Sequence, residues 1–453
     1  MSIKKILVLF VIFLLTGGIL AFAAGGGQQT AGGTAQQADT NTATFMWWGD
    51  EPRHKATQLA IDEFTKAFPG KKITPLPTPF DGYHDKIMIQ LASGTAPDLV
   101  CFSAEWMSEV GFANNPVLKD LKELSSIINT SDFAPALLGG GTINGRLLGI
   151  ATGISGWSMN YNINVFTEFS KKSGKPLPPK PGESWTMDQF IEYARVFKQT
   201  MGPDYCVIGT NFDGLGHFLV SMLSEIAGKY YVSDKAELQV TEQNLVDTFK
   251  LFARFTEAGV LPAPNLQVES LGSPTVSTAN VAAGKWAGFW SWTSNIPQNA
   301  VDSNSDIGLM AFPILGRPEY DGLFVRPAQF WVIPSASKNQ VTAAQLLNFI
   351  MNDPRAIKAL EVQRSIPPTE KGQKVLADLG ILSGPTYEAT AYLSKVAAAS
   401  YSPFILVREI QDIFRDEYTK FITGNQTAEA AGKAVYNSWQ TALVGIRRAN
   451  GIQ

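Results

Sequence analysis

The residues Phe45-Met46-Trp47-Trp48-Gly49-Asp50-Glu51 open the folded part of the chain. A short apolar run that stops at Gly49 and passes into an amphipathic helix predicts a first β-strand followed by a helix. The tip of that strand offers two indoles and two carboxylates. Charged groups are seldom fully buried unless they are paired, so we expect this tip to lie at a cleft and to contact a polar, uncharged ligand.

The composition is that of a large globular protein. The chain has 453 residues, of which 45% are hydrophobic and 17% are charged, which is enough for two or more folded units. Its formal net charge is -3, and nothing in the sequence indicates binding of nucleic acid. Cys101 and Cys206 lie in apolar surroundings far apart in sequence, which favours two buried free thiols over a disulfide.

The N-terminus has the three parts of a secretory signal peptide over residues 1–23: two lysines, an apolar run and the small-residue end Ala21-Phe22-Ala23. The alternative is an uncleaved membrane anchor, although the apolar run is shorter than the ~20 residues that a spanning helix needs. Residues 24–43 are rich in Gly, Gln, Ala and Thr, which predicts a flexible spacer. We expect an exported protein in the periplasm or outside the cell.

After the spacer, short apolar runs alternate with amphipathic helices, which is typical of an α/β fold with a mostly parallel sheet. Strands are predicted at 72–75, 99–102, 205–211 and 307–314, and helices at 83–93, 185–200, 215–226 and 242–258. A turn at Asn144-Gly145 predicts a hairpin.

Ligands gather at the carboxyl ends of strands in an open α/β sheet. Glu105 and Trp106 follow the strand at 99–102 and therefore join Trp48 and Asp50 as cleft candidates. Asp50 could equally be the N-cap of the helix that begins near Pro52, and Trp48 could equally fill the core. Strand alternation places Trp47 and Trp48 on opposite faces, so at most one of them meets the ligand.

Several segments in a shared order resemble one known family. They are Ala92-Ser93-Gly94-Thr95-Ala96-Pro97-Asp98, Tyr161-Asn162 followed by Phe166, Ala283-Gly284-Lys285-Trp286-Ala287, Ser335–Asn339 and Gly424–Ala428. Together they resemble the family 1 extracellular solute-binding proteins, the maltose-binding-protein-like sugar receptors of ABC importers. The resemblance covers almost all of the chain after the spacer.

The resemblance implies a type 2 periplasmic binding protein fold, in which two α/β lobes are joined by crossing strands. One lobe would comprise residues 43–152 and 325–366, and the other 153–324 and 367–453. A carbohydrate would bind between the lobes, and closure of a hinge would create the shape that the ABC transporter permease recognises. The expected protein is a monomer without cofactor or metal, and it is not an enzyme.

The same resemblance implies site residues in the second lobe. Trp292 matches the aromatic residue that follows the "G-K-x-A" strand, but the spacing is shorter than usual, so Trp290 could take this role. Trp286 is expected in the core. Asn211, at the end of its predicted strand, and Trp157 are further candidates.

Arg326 and Gln329 align with the segment that returns to the first lobe beside the cleft. Relatives often have Gly-Gly there, and an arginine would also suit a carboxylated solute such as a uronic acid. The three histidines, His54, His84 and His217, are expected at the surface or in structural roles.

Two other functions compete with sugar capture. A secreted hydrolase could use Asp50 and Glu105, which would have to flank a bond at about 5 to 10 Å with one raised pKa. The sequence has no G-x-S-x-G, H-E-x-x-H, C-x-x-C or G-K-[ST] motif. The receptor fold could instead take a metal, a polyamine or a peptide. Aromatic platforms with few charges favour a carbohydrate, which presents hydroxyls and flat C–H faces.

Overall fold

The computed structural model describes residues 41–111, 117–133, 135–210, 212–315, 323, 325–396, 402, 404, 405 and 407–452. The predicted signal peptide, most of the predicted spacer and Asn211 lie outside the described residues. Within the described part of the chain, no helix is long and apolar enough to cross a membrane. The first strand begins at Thr42, so the last two residues of the predicted spacer belong to a sheet.

The strands are mostly short. In chain order they are β1 (Thr42–Trp48), β2 (Lys72–Thr78), β3 (Leu99–Phe102), β4 (Thr142–Ile143), β5 (Arg146–Leu147), β6 (Ile150–Ala151), β7 (Ile154–Asn162), β8 (Gly288–Trp292), β9 (Ile307–Met310), β10 (Val325–Pro327) and β11 (Phe330–Val332).

The helices fill the intervals and the C-terminal part of the chain. They are α1 (Glu51–Ala67), α2 (Tyr83–Ser93), α3 (Met107–Gly111), α4 (Pro135–Gly140), α5 (Ile163–Ser173), α6 (Met187–Met201), α7 (Phe212–Ala227), α8 (Glu242–Ala258), α9 (Pro264–Gly272), α10 (Pro274–Ala282), α11 (Ile296–Ser303), α12 (Gln340–Asn352), α13 (Pro354–Leu360), α14 (Glu370–Asp378), α15 (Gly384–Val396), α16 (Arg408–Ile422) and α17 (Ala428–Ala449). Short 3-10 helices cover Ala104–Trp106, Leu121–Leu124 and Thr293–Asn295.

Two sheets organise the described chain. The first has the strand order β2-β1-β3-β11-β6, and the second joins β10, β7 and β8, with β9 also paired to β7. β1 runs parallel to β2 and β3, but β11 runs antiparallel to β3 and β6. All the pairs of the second sheet are antiparallel. The prediction of a mostly parallel sheet is therefore wrong, because strands that re-enter from distant parts of the chain run against their neighbours.

Many local predictions are confirmed. The helices at 83–93 and 242–258 have the predicted bounds, and Asn144-Gly145 forms the turn between β4 and β5 with φ values of 50° and 73°. These positive values suit Asn and Gly. Cys101 and Cys206 are buried and free, as the sequence predicts. Trp286 is 1% exposed and packs beside Cys206, which confirms its core position.

The strand predicted at 205–211 is wrong. Cys206 forms an isolated bridge with Trp286, and no ladder extends from it along the described residues. Val207 and Ile208 donate hydrogen bonds to the carbonyl groups of Gly259 and Val260, which belong to a loop. The segment also lies beside the start of β8, since Gly209 N donates to Gly288 O at 2.9 Å, but these contacts do not make it a strand. The strand predicted at 307–314 is also shorter than expected, since β9 ends at Met310.

The chain crosses between the two sheets at adjacent points. Two residues separate β6 from β7, and two residues separate β10 from β11. Ala328 N donates to Gly153 O at 2.9 Å, and Ile154 N donates to Ile366 O at 2.9 Å. Backbone hydrogen bonds therefore hold three crossing segments side by side, and the cavity described below lies between residues supplied from either side of them.

Candidate ligand-binding cavity

A cavity of about 730 Å³ lies beyond the carboxyl ends of β2 and β3. One side consists of residues from the segments 80–85 and 103–109, and the other of His217, Trp292 and residues from 407–411. The volume falls within the range of about 300 to 1,000 Å³ that is usual for small-molecule sites. It could accept a solute of the size of a short oligosaccharide.

Glu105 is the central polar group of the cavity. It lies in the 3-10 helix that follows β3, so the end of that strand fixes its position. Its Oε1 accepts a hydrogen bond from Arg326 Nη1 at 2.5 Å, and Ser103 Oγ donates to its other oxygen. Burial opposes ionisation of Glu105, but the guanidinium and the hydroxyl outweigh it and hold the pKa of this carboxyl below its ordinary value.

Arg326 connects this carboxylate to Trp292. Its side chain is 9% exposed, and its Cζ lies 4.0 Å from the centroid of the Trp292 ring, the distance of a cation–π contact. β10 supplies Arg326 and β8 supplies Trp292, and both strands pair with β7. The second sheet therefore places the guanidinium between an indole and the carboxylate of Glu105.

Aromatic rings cover the first side of the cavity. Trp106 lies nearly parallel to Phe80, with ring centroids 6.3 Å apart and planes at 17°. Behind it, Trp48 is 6% exposed and packs against Trp106 at 5.2 Å and Tyr83 at 4.9 Å. Trp48 thus supports the ring that lines the cavity and does not line it. Trp47 packs on the opposite face of β1 against His54, as strand alternation predicts.

The second side is also aromatic. The His217 ring stacks on Trp157 at 4.2 Å with planes at 20°, and it meets Trp292 edge to face at 4.8 Å. Trp290 is 4% exposed and packs against Phe218 and Phe312 in the core. Of the two alternatives, Trp292 lines the cavity and Trp290 does not. Trp157 is buried behind His217 and Trp292.

Two predicted site residues have structural contacts instead. Asp50 is exposed and is the N-cap of α1, because its Oδ1 accepts from Arg53 N at 3.1 Å. Gln329 Oε1 accepts from Cys101 Sγ at 3.1 Å and from Arg364 Nη1 at 3.3 Å, close to the crossing segments. Neither lines the cavity. Asn211 lies outside the described residues, so its role stays a prediction.

Sequence reasoning missed two histidines. His84 Nδ1 lies 2.9 Å from Asp85 Oδ1, and its Nε2 lies 3.0 Å from Glu109 Oε2. Burial disfavours the imidazolium form, but these two carboxylates outweigh it and raise the pKa of His84 above its ordinary value. His84 lies at the surface, with a side chain 40% exposed, and His217 is buried against Trp157, as the expected surface and structural roles require, but both also line the cavity. The sequence could have indicated only the segment of Phe80 and His84 as a cavity candidate, because it follows the carboxyl end of β2, where ligands gather.

Among the described residues, no group of three or more His, Cys, Asp and Glu side chains is arranged to hold a metal ion. The lining combines ring faces with several carboxylates, the guanidinium of Arg408 and two imidazoles, and Arg326 contacts it through Glu105. Such a set can stack on flat C–H surfaces and exchange hydrogen bonds with hydroxyl groups.

Comparison with known proteins gives the family. Residues 60–378 match the bacterial extracellular solute-binding proteins, and these residues make up most of the chain. The chain belongs to this family. As a solute-binding protein it has the two-lobed α/β fold of the periplasmic receptors, which similar solved structures share.

Three of these structures resemble the solute-binding protein along its length. A periplasmic solute-binding protein from Pectobacterium atrosepticum is 24% identical, covers 91% of this chain and 100% of its own, and has a TM-score of 0.78. A periplasmic oligogalacturonide-binding protein from Yersinia enterocolitica is 21% identical, with coverages of 90% and 100% and a TM-score of 0.76. An ABC substrate-binding protein from Listeria monocytogenes, in complex with cycloalternan, is 17% identical, with coverages of 91% and 99% and a TM-score of 0.68. At these identities the likeness shows the fold.

Proposed function

We propose that this solute-binding protein captures a sugar or oligosaccharide in the cavity and delivers it to the permease of an ABC transporter. The observation that carries the proposal is the pair of facing aromatic sides, Trp106 with Phe80 and Trp292 with His217, around the polar pair Glu105 and Arg326. Sugar receptors need ring faces for the C–H surfaces and fixed polar groups for the hydroxyls. The Yersinia protein is an oligogalacturonide-binding protein and the Listeria protein is in complex with cycloalternan, which supports a carbohydrate here.

The affinity expected from this set is moderate. A hydrogen bond to a charged group contributes ~1.5 to 3 kcal/mol net, and three or four such bonds with one stacked ring reach roughly -8 kcal/mol after the costs of ordering the partners. That free energy corresponds to a dissociation constant of about 1 μM.

We infer that the lobes divide close to the expected boundaries, with residues 43–152 and 325–366 in one lobe and 153–324 and 367–453 in the other. The crossing segments support this division, since β6 joins the first sheet and β7 the second. β10 departs from this division: the expected boundary puts Val325–Pro327 in the first lobe, but this strand pairs with β7 of the second sheet. A signal peptide over 1–23 would export the mature monomeric receptor to the periplasm or the cell exterior.

Catalysis is the weaker proposal. The hydrolase that the sequence suggests pairs Glu105 with Asp50, and Asp50 caps α1 outside the cavity lining. A general acid in such enzymes has a raised pKa, whereas the Arg326 pair lowers that of Glu105. We therefore infer that the protein binds its solute without changing it.

Calorimetry and thermal unfolding with a panel of mono- and oligosaccharides test the function. A sugar that binds only the native state raises the free energy of unfolding, by ~2.7 kcal/mol at a concentration one hundred times its dissociation constant. We expect at least one sugar to bind and to be recovered intact by chromatography. Release of shortened or reducing-end products would contradict the receptor function, and so would tight binding of a polyamine or peptide with no response to any sugar.

A further inference from the structure

Negatively charged side chains outnumber positively charged ones around the cavity. Carboxylates of Asp81, Asp85, Glu105, Glu109 and Glu409 line it. They repel an anionic solute in the cavity. A solute of net negative charge is therefore at a disadvantage even before its contacts are considered.

The positive groups nearby already face carboxylates of the protein. Arg326 holds Glu105 at 2.5 Å, and Arg408 lies 3.7 Å from Asp412. His84 lies between Asp85 and Glu109. Meanwhile Asp81 and Glu409 have no ion-pair partner among the described residues. The cavity thus offers a carboxylated solute additional repulsion. The buried guanidinium of Arg326 is already paired, and that of Arg408, whose side chain is 84% exposed, is weakened as a partner by the surrounding solvent.

We propose that the cavity takes an uncharged saccharide and rejects the uronate of the same shape, and that Glu105 is the residue that sets this preference. The proposal rests on the proposed function of sugar capture. It replaces the expectation that Arg326 would suit a uronic acid, because the carboxylate that an arginine could bind there is supplied by the protein itself.

The mechanism of discrimination follows from hydrogen-bonding capacity. An ionised carboxylate only accepts hydrogen bonds, so Glu105 is satisfied by sugar hydroxyls, which donate. A uronate replaces one hydroxymethyl donor by a second acceptor-only group. To reach Arg326 it would have to displace Glu105, and this would leave a partly buried carboxylate unpaired, which is strongly unfavourable.

Matched pairs of ligands give a direct test. Each pair consists of a uronate disaccharide or trisaccharide and its carboxyl-reduced counterpart, which has the same linkage and length but a hydroxymethyl group. Pairs of the galacto, gluco and manno series are compared by calorimetry near neutral pH and physiological ionic strength. Within a pair that binds, we expect the affinity for the neutral saccharide to be about tenfold or more higher than the affinity for the uronate. A higher salt concentration should bring the dissociation constants of the two saccharides closer together, since it screens the exposed carboxylates.

The variant Glu105→Gln releases Arg326 while keeping the size of the side chain. The ratio of the two dissociation constants should shift toward the uronate by about tenfold or more. Glu429→Gln is the matched control, because Glu429 is also paired, with Lys250, but lies outside the cavity lining. It should leave the ratio unchanged.

If Glu105→Gln fails to fold, Asp81→Asn and Glu409→Gln test the charge argument at exposed positions. Each should move the ratio toward the uronate by a smaller factor. A wild-type protein that prefers uronates overturns this inference but leaves sugar capture intact. A folded Glu105→Gln variant with the wild-type ratio overturns the role of Glu105. Failure of both members of every pair to bind overturns this inference, and the proposed function is overturned only if the wider sugar panel also fails.

Discussion

Among the individual residues, Trp292 contacts the guanidinium of Arg326 and is also placed to contact the solute. Its ring lines the cavity, and Arg326 Cζ lies 4.0 Å from its centroid. Trp157 and His217 also contact this ring, with centroids 4.7 Å and 4.8 Å away, so a solute meets the part of the indole that lines the cavity. The indole is therefore placed to stack on a sugar while it holds Arg326 in position.

Trp292→Ala should weaken sugar binding by about 1 to 2 kcal/mol, roughly tenfold in the dissociation constant, because both the stacking ring and the support of Arg326 are lost. Trp292→Phe keeps a ring and should recover much of the affinity. Calorimetry measures both, with thermal unfolding as the check on folding. The comparison is Trp290→Ala, a core truncation that should lower the free energy of unfolding by ~3 to 5 kcal/mol. Trp292→Ala with unchanged affinity and a similar loss of stability would show that Trp292 is a core residue.

His84 provides a prediction for pH dependence. Its folded-state pKa is raised above 6.5 by Asp85 and Glu109, which outweigh its burial. The stability that it contributes is thus fully present below the unfolded pKa and is lost as the pH rises through the raised folded pKa. NMR titration of the imidazole should give a value above 6.5, and His84→Gln should remove that resonance and the associated slope of melting temperature against pH. A pKa at or below 6.5 would contradict the contacts with the two carboxylates.

The sequence indicated some of these residues for sound physical reasons. Glu105 and Trp106 follow a buried strand, and the rule that ligands gather at strand ends placed them correctly at the cavity. Alternation separated Trp47 from Trp48 but contained no information about which rings would cover Trp48. His217 was out of reach, since its place on α7 becomes meaningful only when that helix packs against β8. Asp50 fitted two patterns, a ligand-contacting residue at a strand end and the N-cap of α1, and the structure shows the N-cap.

At the scale of the element, the crossing segments depend on a close backbone approach at Gly153. A Cβ atom there would lie 2.5 Å from the carbonyl oxygen of Arg364 and 2.8 Å from that of Ile366. No side chain can yield to relieve these contacts, because both atoms belong to the backbone. The glycine is therefore required by the approach of the third segment, and the pairing of these segments was not readable from a local pattern.

Gly153→Ala should lower the free energy of unfolding by ~1 to 3 kcal/mol, the usual cost of forcing extra atoms into a packed site. Gly445→Ala is the matched control, because a Cβ atom there meets nothing within 4 Å and the residue lies inside α17. That substitution should stabilise the protein by ~0.5 to 1 kcal/mol through helix propensity. Denaturant unfolding measures both. Equal stability of the two variants would show that the crossing segments separate readily.

At the scale of the whole molecule, the two sheets explain which predictions succeeded. The helices at 83–93 and 242–258, each of which ends at a glycine with positive φ, were located from their own sequence. The mixed direction of the first sheet depends instead on β11, which joins β3 from more than two hundred residues further along the chain. Local periodicity does not specify such pairing, and the resemblance to a known family supplied the missing long-range order.

Closure of the two sides of the cavity on a bound sugar should change the size of the molecule. One aromatic side of the cavity follows β2 and β3 of the first sheet, and the other comes from β8 and helices α7 and α16. A sugar that contacts both sides binds the closed arrangement better than an open one, and it shifts the population by this difference in affinity. Small-angle scattering should show a smaller radius of gyration at saturating sugar. Trp292→Ala at the same sugar concentration should show less compaction, because fewer molecules carry ligand. Saturation proven by calorimetry with no change in the wild-type scattering would rule out a hinge that closes on the solute.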